Sequence, residues 1–145
     1  MSTLTYVDTN VLVYLSDPGS ERKHERAREV LSAEESTGGF TISTSTLSEL
    51  YRALTRGKGR PPLLSPADAE RTVRRLERMN VILITVEDLN EAMRRAQAHR
   101  RSYFDALHDS VAFRSGCKRF LTEDVPGGRK TRQGVLYENP FIGIP

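Results

Sequence analysis

Short apolar segments alternate with longer helical ones along this chain, and that alternation restricts the fold more than any other feature. Strands are expected at 3–8, 40–43, 81–84, 118–122 and 135–137, with helices at 11–16, 22–35, 46–56, 66–79, 87–100 and 103–115. Strands separated by helices pair in parallel, and the helices then cover both faces of the sheet. "VILI" (81–84) is apolar without alternation, as expected of a strand covered on both sides. In such sheets a site forms just beyond the carboxyl ends of the strands.

The chain has 145 residues, 37% hydrophobic and 28% charged, which fits one soluble globular domain spanning 1–145. No apolar run approaches the ~20 residues that a membrane span needs. The N-terminus has no charged stretch followed by an apolar one, so no signal peptide is expected. Cys117 is the single cysteine. It excludes an internal disulfide, fits a reducing cytoplasm, and reads as a small buried hydrophobe.

A net charge of +3, from 22 Lys+Arg against 19 Asp+Glu, does not by itself declare a nucleic-acid binder. The distribution says more. "RALTRGKGR" (52–60), "RTVRRLER" (71–78) and "RRAQAHRR" (94–101) are clusters dominated by Arg. The planar Arg fork binds two phosphate oxygens at once, whereas a solvated helix face is the plain alternative for each cluster. Within the first, "GKGRPP" (57–62) reads as an exposed, flexible loop.

Four helices carry one start signal, a hydroxyl N-cap with an acid three residues on: Thr46 with Glu49, Ser65 with Asp68, Thr85 with Asp88, and Ser102 with Asp105. Spacing alone therefore nominates none of these acids for chemistry. Surroundings do better. Asp68 sits on a polar helix start, where capping is enough. Asp105 and Asp109 fall on one stripe of "YFDALHDSVAF" (103–113), whose apolar residues cover most of the circumference, so that helix should be buried. Two like charges there oppose each other and need a positive partner. A divalent ion is one candidate and an arginine from another helix is the other.

Asp8 ends the first strand, Asp124 follows the "RFLT" strand (119–122), and Glu49 begins the helix after "FTIS" (40–43). With Asp105 these acids can converge on one sheet edge, and Asp8 can also cap the helix it precedes. All-oxygen ligands select hard ions such as Mg²⁺ or Mn²⁺. Zinc is disfavoured because His24, His99 and His108 are scattered. His108 could face the pocket beside Asp105, with a packed or exposed histidine as the plainer reading. "GGRK" (127–130) lacks the context of a phosphate-binding loop, and no nucleophile elbow is present. An acidic metal site with basic surroundings points to phosphodiester hydrolysis.

"YVDTNVLVYL" (6–15), "SELYRAL" (48–54), "YFDALHDSVA" (103–112) and "FLTEDV" (120–125), in this order, resemble the PIN-domain ribonucleases, most closely the VapC-type toxins of bacterial toxin–antitoxin pairs. The resemblance covers essentially the whole chain. It implies a three-layer α/β/α sandwich around a parallel sheet, Mg²⁺- or Mn²⁺-dependent endoribonuclease activity, homodimerisation, and a cognate antitoxin that blocks the acidic cleft. Carried over by motif, Asp8, Glu49, Asp105 and Asp124 are the four catalytic, metal-holding acids. Thr9 and Asn10 match residues that orient the first acid, and Thr122 matches the hydroxyl near the fourth. Asp109 departs from the family pattern as an additional acid, and Glu123 is a neighbouring alternative to Asp124.

A non-catalytic RNA- or protein-binding module and a metal-dependent phosphatase are the competing readings. A pure binder of polyanions gains nothing from an acidic cleft, and the Arg clusters favour a polymeric substrate.

Overall fold

A computed structural model describes residues 3–145 of the chain, so the first two positions of the expected domain lie outside the described residues. Six strands form one sheet: β1 (Thr5–Val7), β2 (Phe40–Ser43), β3 (Asn80–Ile82), β4 (Arg119–Leu121), β5 (Arg129–Arg132) and β6 (Val135–Glu138). Their spatial order is β3-β2-β1-β4-β6-β5. All neighbours are parallel except β5 and β6. The helices are α1 (Thr9–Leu12), α2 (Glu21–Thr37), α3 (Thr44–Thr55), α4 (Pro66–Arg75), α5 (Val86–His99) and α6 (Tyr103–Arg114).

Alternation along the central strands divides the core in two, because successive side chains point to opposite faces. Val7 and Leu121 pack with Leu12, Leu31, Leu50, Leu54 and Ala69, from α1 to α4. Tyr6 and Phe120 pack with Ala92, Leu107 and Val111, from α5 and α6. The result is the expected α/β/α sandwich. No helix among the described residues is long and apolar enough to cross a membrane.

Several expectations are corrected. The sheet is mixed, because β5 was concealed by its composition. Its "RKTR" sequence is polar, as suits an outer strand whose free edge must resist further pairing. Gln133 and Gly134, with φ of 52° and 80°, form the two-residue turn to β6. "VILI" is not covered on both sides. It contributes to β3, the opposite edge, where Asn80 is exposed and Val81 and Ile82 are only half-buried. The first helix begins at Thr9, and residues 13–16 tighten into a 3₁₀ turn. The fourth ends at Arg75, before another 3₁₀ turn at 76–78.

The caps at Ser65, Thr85 and Ser102 form as expected. The cap of α3 is instead Ser43, whose hydroxyl accepts from the Thr46 amide at 3.2 Å while Thr46 Oγ1 accepts from the Ser43 amide. Glu49 is thereby released from any capping role. Helix α6 is buried from Ala106 to Ala112, but Phe104, Asp105 and Phe113 are exposed.

Candidate active site

Strand β1 is the topological switch point of this sheet: β2 and β3 lie on one side of it and β4 on the other. A crevice is expected at that point, beyond the carboxyl ends. Register fills it. Val7 pairs with Leu121, so Asp8 falls beside Thr122. The Asp8 amide donates to the Leu121 carbonyl at 2.9 Å, and Thr122 Oγ1 donates to Asp8 Oδ2 at 2.9 Å. Asp8 Oδ1 accepts from the Thr9 amide at 2.7 Å, so Asp8 does cap α1.

Asn10 ties the facing segment in place. Its Nδ2 donates to Asp124 Oδ2 at 3.1 Å and to Thr122 Oγ1 at 3.2 Å, and its Oδ1 accepts from the Glu123 amide at 3.3 Å. The Asp124 amide in turn donates to Thr122 Oγ1 at 3.1 Å. Burial raises the pKa of Asp8, against the opposing pull of the His108 charge and the hydrogen bonds from Thr122 and Thr9.

His108 belongs to this site, the less favoured of its two sequence readings. Its Nε2 lies 2.7 Å from Glu49 Oε2, which also accepts from Ser45 Oγ at 2.9 Å. Its Nδ1 lies 2.6 Å from the buried Tyr6 hydroxyl, which donates its one proton to Ser43 Oγ at 2.8 Å. The bond to the Glu49 carboxylate favours a proton on Nε2 and stabilises the protonated ring. Burial opposes that charge, but the hydrogen bond and charge of Glu49, with Asp8 and Asp105, raise the His108 pKa overall. The same pair lowers the pKa of Glu49 despite its burial. Position 108 lies three residues beyond Asp105, hence on the same helical flank. That was the available signal.

The acids now sort by partner. Glu49 is paired with His108, and Glu123 with Lys23 at 2.9 Å. Asp109 meets two arginines. Arg132 Nη1 donates to its Oδ2 at 3.1 Å, and Arg101 Nε lies 2.9 Å from the same oxygen without hydrogen-bond alignment. The Tyr137 hydroxyl donates to the other oxygen at 2.9 Å. Of the two partners considered for the extra acid, the structure supplies arginine. Asp8, Asp105 and Asp124 have no Lys or Arg ion-pair partner among the described residues, although the His108 charge lies near two of them.

These three, with Glu49, His108, Thr9, Asn10 and Phe104, line an open cleft of about 620 Å³. Its donor set is oxygen-rich, and the buried Thr9 Oγ1 on its wall lacks a hydrogen-bond partner. Among the described residues, no three acid, histidine or cysteine side chains are grouped closely enough to hold a metal ion by themselves.

The three basic clusters have different fates. Arg52, Arg56, Lys58 and Arg60 line a hollow of about 360 Å³ with Thr9 and Glu49, beside the cleft, and none has an ion-pair partner among the described residues. Arg71, Arg74 and Arg78 instead pair with Asp68, Glu70 and Glu35 on an exposed face. Arg95 and Arg101 line a third hollow with Lys130 and Arg132.

Both the α/β/α layering and the acidic crevice at the switch point are features of one protein class. The PIN domain profile matches residues 5–125, and the chain belongs to that family. Similar folds occur in the crystal structure of Mycobacterium tuberculosis VapC20, a sarcin–ricin loop cleaving toxin, at 22% identity. That match covers 85% of this chain and 90% of the other, with a TM-score of 0.66. DNA-bound VapBC from Salmonella typhimurium matches at 19% identity, over 96% and 99%, with a TM-score of 0.68. A Klebsiella pneumoniae toxin–antitoxin complex matches at 18%, over 94% and 98%, with a TM-score of 0.66. A sequence search of curated proteins returns no match.

Proposed function

We propose that this protein is a Mg²⁺- or Mn²⁺-dependent endoribonuclease acting as the toxin of a toxin–antitoxin pair. The observation that carries the reading is the sorting of the acids. Carboxylates that converge need compensation, and Asp8, Asp105 and Asp124, like Asp17, line the cleft with no Lys or Arg ion-pair partner among the described residues, beside an arginine-lined hollow. Asp8, Asp105 and Asp124 would hold the ion, with Glu49 beside them. When bound, the ion would lower the pKa of a water and neutralise charge on the reacting phosphate.

The remaining residues prepare that cleft. Thr122 and the Thr9 amide fix both Asp8 oxygens, and Asn10 fixes Asp124. His108, bonded to Glu49, keeps that acid from adding to the repulsion among the others. Phe104 stands 55% exposed on the cleft wall next to Asp105, suited to stacking an unpaired base. Single-stranded RNA, or a loop of structured RNA, fits these features, and VapC20 offers the analogy of a toxin that cleaves the sarcin–ricin loop. The VapBC complexes support an antitoxin partner, for which the cleft offers a receptor for a basic side chain. A homodimer and a cytoplasmic location complete the proposal. The Cys117 thiol, pushed up to about 11 by burial, fits a reducing compartment.

The test uses purified protein freed of any partner and a single-stranded RNA. Cleavage should require Mg²⁺ or Mn²⁺ and disappear in Asp8→Asn and in Asp105→Asn, because an amide keeps the shape and removes the anion. Undiminished cleavage in EDTA would reject the reading.

A further inference from the structure

Arg101 and Arg132 belong to two hollows at once. Both line a narrow pocket of about 50 Å³ shared with Asp8, Asp105 and Asp124. Both also line a hollow of about 370 Å³ completed by Arg95, His99, Lys130 and Gln133. One buried acid holds the two arginines. Asp109 is 6% exposed, and it engages Arg101 from the α5–α6 connection and Arg132 from β5. The Arg132 guanidinium also lies over the Tyr137 ring, 5.0 Å from its centroid. Arg95 is tethered by Glu91 at 2.9 Å and by Gln133 at 2.8 Å. Lys130 is exposed and has no carboxylate partner among the described residues.

Four cations thus face two carboxylates, Glu91 and Asp109, and the hollow keeps a positive excess. An acidic cleft repels the polyanion it must admit, so a substrate strand needs cations where it enters and where it leaves. Arg52, Arg56, Lys58 and Arg60 supply one such hollow. We infer that the Arg95–Arg101–Lys130–Arg132 hollow is a second one, a phosphate subsite for the RNA strand lying in the cleft. Asp109 is its positioning residue, aiming two guanidinium forks, and not an ion ligand. The inference rests on the ribonuclease reading of the cleft. Arginine is the apt residue here because its planar fork meets two phosphate oxygens together.

The experiment measures binding of a single-stranded RNA oligonucleotide across a salt series in EDTA, where cleavage is off, and Mg²⁺-dependent cleavage of the same RNA. The full chain is compared with Lys130→Gln, Arg132→Gln and Asp109→Asn. Each lost phosphate contact should flatten the log–log salt slope by about 0.7. Lys130→Gln should raise KM several-fold with kcat held, and its surface position leaves folding intact. Asp109→Asn should flatten the slope as Arg132→Gln does while the Mn²⁺-induced shift in melting temperature persists. Loss of that Mn²⁺ shift would make Asp109 an ion ligand and overturn its assigned role.

Wild-type cleavage with unchanged slopes and KM in all three variants would overturn the subsite and leave the ribonuclease standing. Variant-sensitive RNA binding without any cleavage by the wild type would keep the subsite and remove the ribonuclease. Variants that weaken binding of poly-glutamate but not of RNA would reassign the hollow to an acidic protein segment, against the inference.

Discussion

His108 Nε2 lies 2.7 Å from Glu49 Oε2, joining α6 to α3 at the wall of the acidic cleft. The two residues are 59 positions apart, and neither is intelligible alone. Glu49 without the imidazolium adds a fourth uncompensated carboxylate to the cleft. His108 without Glu49 is a cation in a buried setting.

The pair should therefore show energetic coupling. Removing one member of a half-buried charged hydrogen bond leaves the other desolvated, and a coupling of about 1–2 kcal/mol is expected. Thermal unfolding of Glu49→Gln, His108→Gln and the double variant, all in EDTA, measures it. Additive losses would mean that the contact contributes nothing beyond its separate parts. In Mg²⁺, His108→Gln should also slow cleavage.

Phe104 should matter for RNA and not for folding. Its side chain is exposed, its ring meets Tyr103 edge-on with centroids 5.2 Å apart, and it flanks Asp105 on the cleft. Base–aromatic stacking contributes about 1–3 kcal/mol per base. Phe104→Ala should therefore weaken RNA binding roughly tenfold or more with an unchanged melting temperature, and Phe104→Tyr should restore it. Equal affinity of the Ala variant in an anisotropy titration would remove Phe104 from the RNA path.

How much of this was legible beforehand follows physical lines. The placement of Asp8 and Asp124 was readable because both follow strand ends, where parallel topology dictates a common edge; that Asn10 reaches the fourth acid and not the first was not. Glu49 was readable by its place, though its cap was misread. Ser43 takes that role because α3 starts at Thr44, directly after the strand and ahead of the Thr46 pattern. An arginine partner for Asp109 was one of the two readings, but which arginines would supply it was not legible. They are Arg132, in a polar edge strand whose local pattern resembles a loop, and Arg101, in the short connection between α5 and α6. His108 was hidden for a different reason. A histidine on an apolar helix looks like packing until the Tyr6 hydroxyl and Glu49 appear beside it.

Asp88 gives a stability change with pH that is separate from the cleft. It is 3% exposed, completes the α5 capping box by accepting from the Thr85 amide at 2.9 Å, and receives two 2.7 Å bonds from Arg114. Burial favours its neutral form, but the Arg114 and Thr85 bonds outweigh this and lower its pKa. A carboxylate depressed in the folded state contributes stability above its unfolded pKa, about 3.9, and loses it as pH falls through the lower folded value. Asp88→Asn should therefore cost about 1–3 kcal/mol near neutrality, from the ion pair and the cap together. The difference from wild type should shrink as pH drops below about 4. Melting curves from pH 7 to pH 3 check both statements, and a deficit that stays constant through the acid range would exclude the charge as its cause.

The proposed homodimer makes a last prediction, drawn from the β3–α5 side of the molecule. Val86, Leu89 and Met93 recur at helical spacing on α5 and remain 68%, 36% and 46% exposed. Leu83, just beyond the edge strand β3, is also exposed, and Arg114 reaches both its carbonyl and Asp88, so these residues adjoin. A monomer seldom leaves so many large apolar side chains together in water, and burial yields about 25 cal/mol for each Å² covered. A second copy docking this face would cover them, at the β3 side of the same carboxyl edge that carries the cleft at β1 and β4. Val86→Asp combined with Met93→Asp should convert the dimer to a monomer by light scattering at the same concentration. Folding should persist, because both side chains already face solvent within one chain. A dimer mass unchanged by the pair would put the contact on another face.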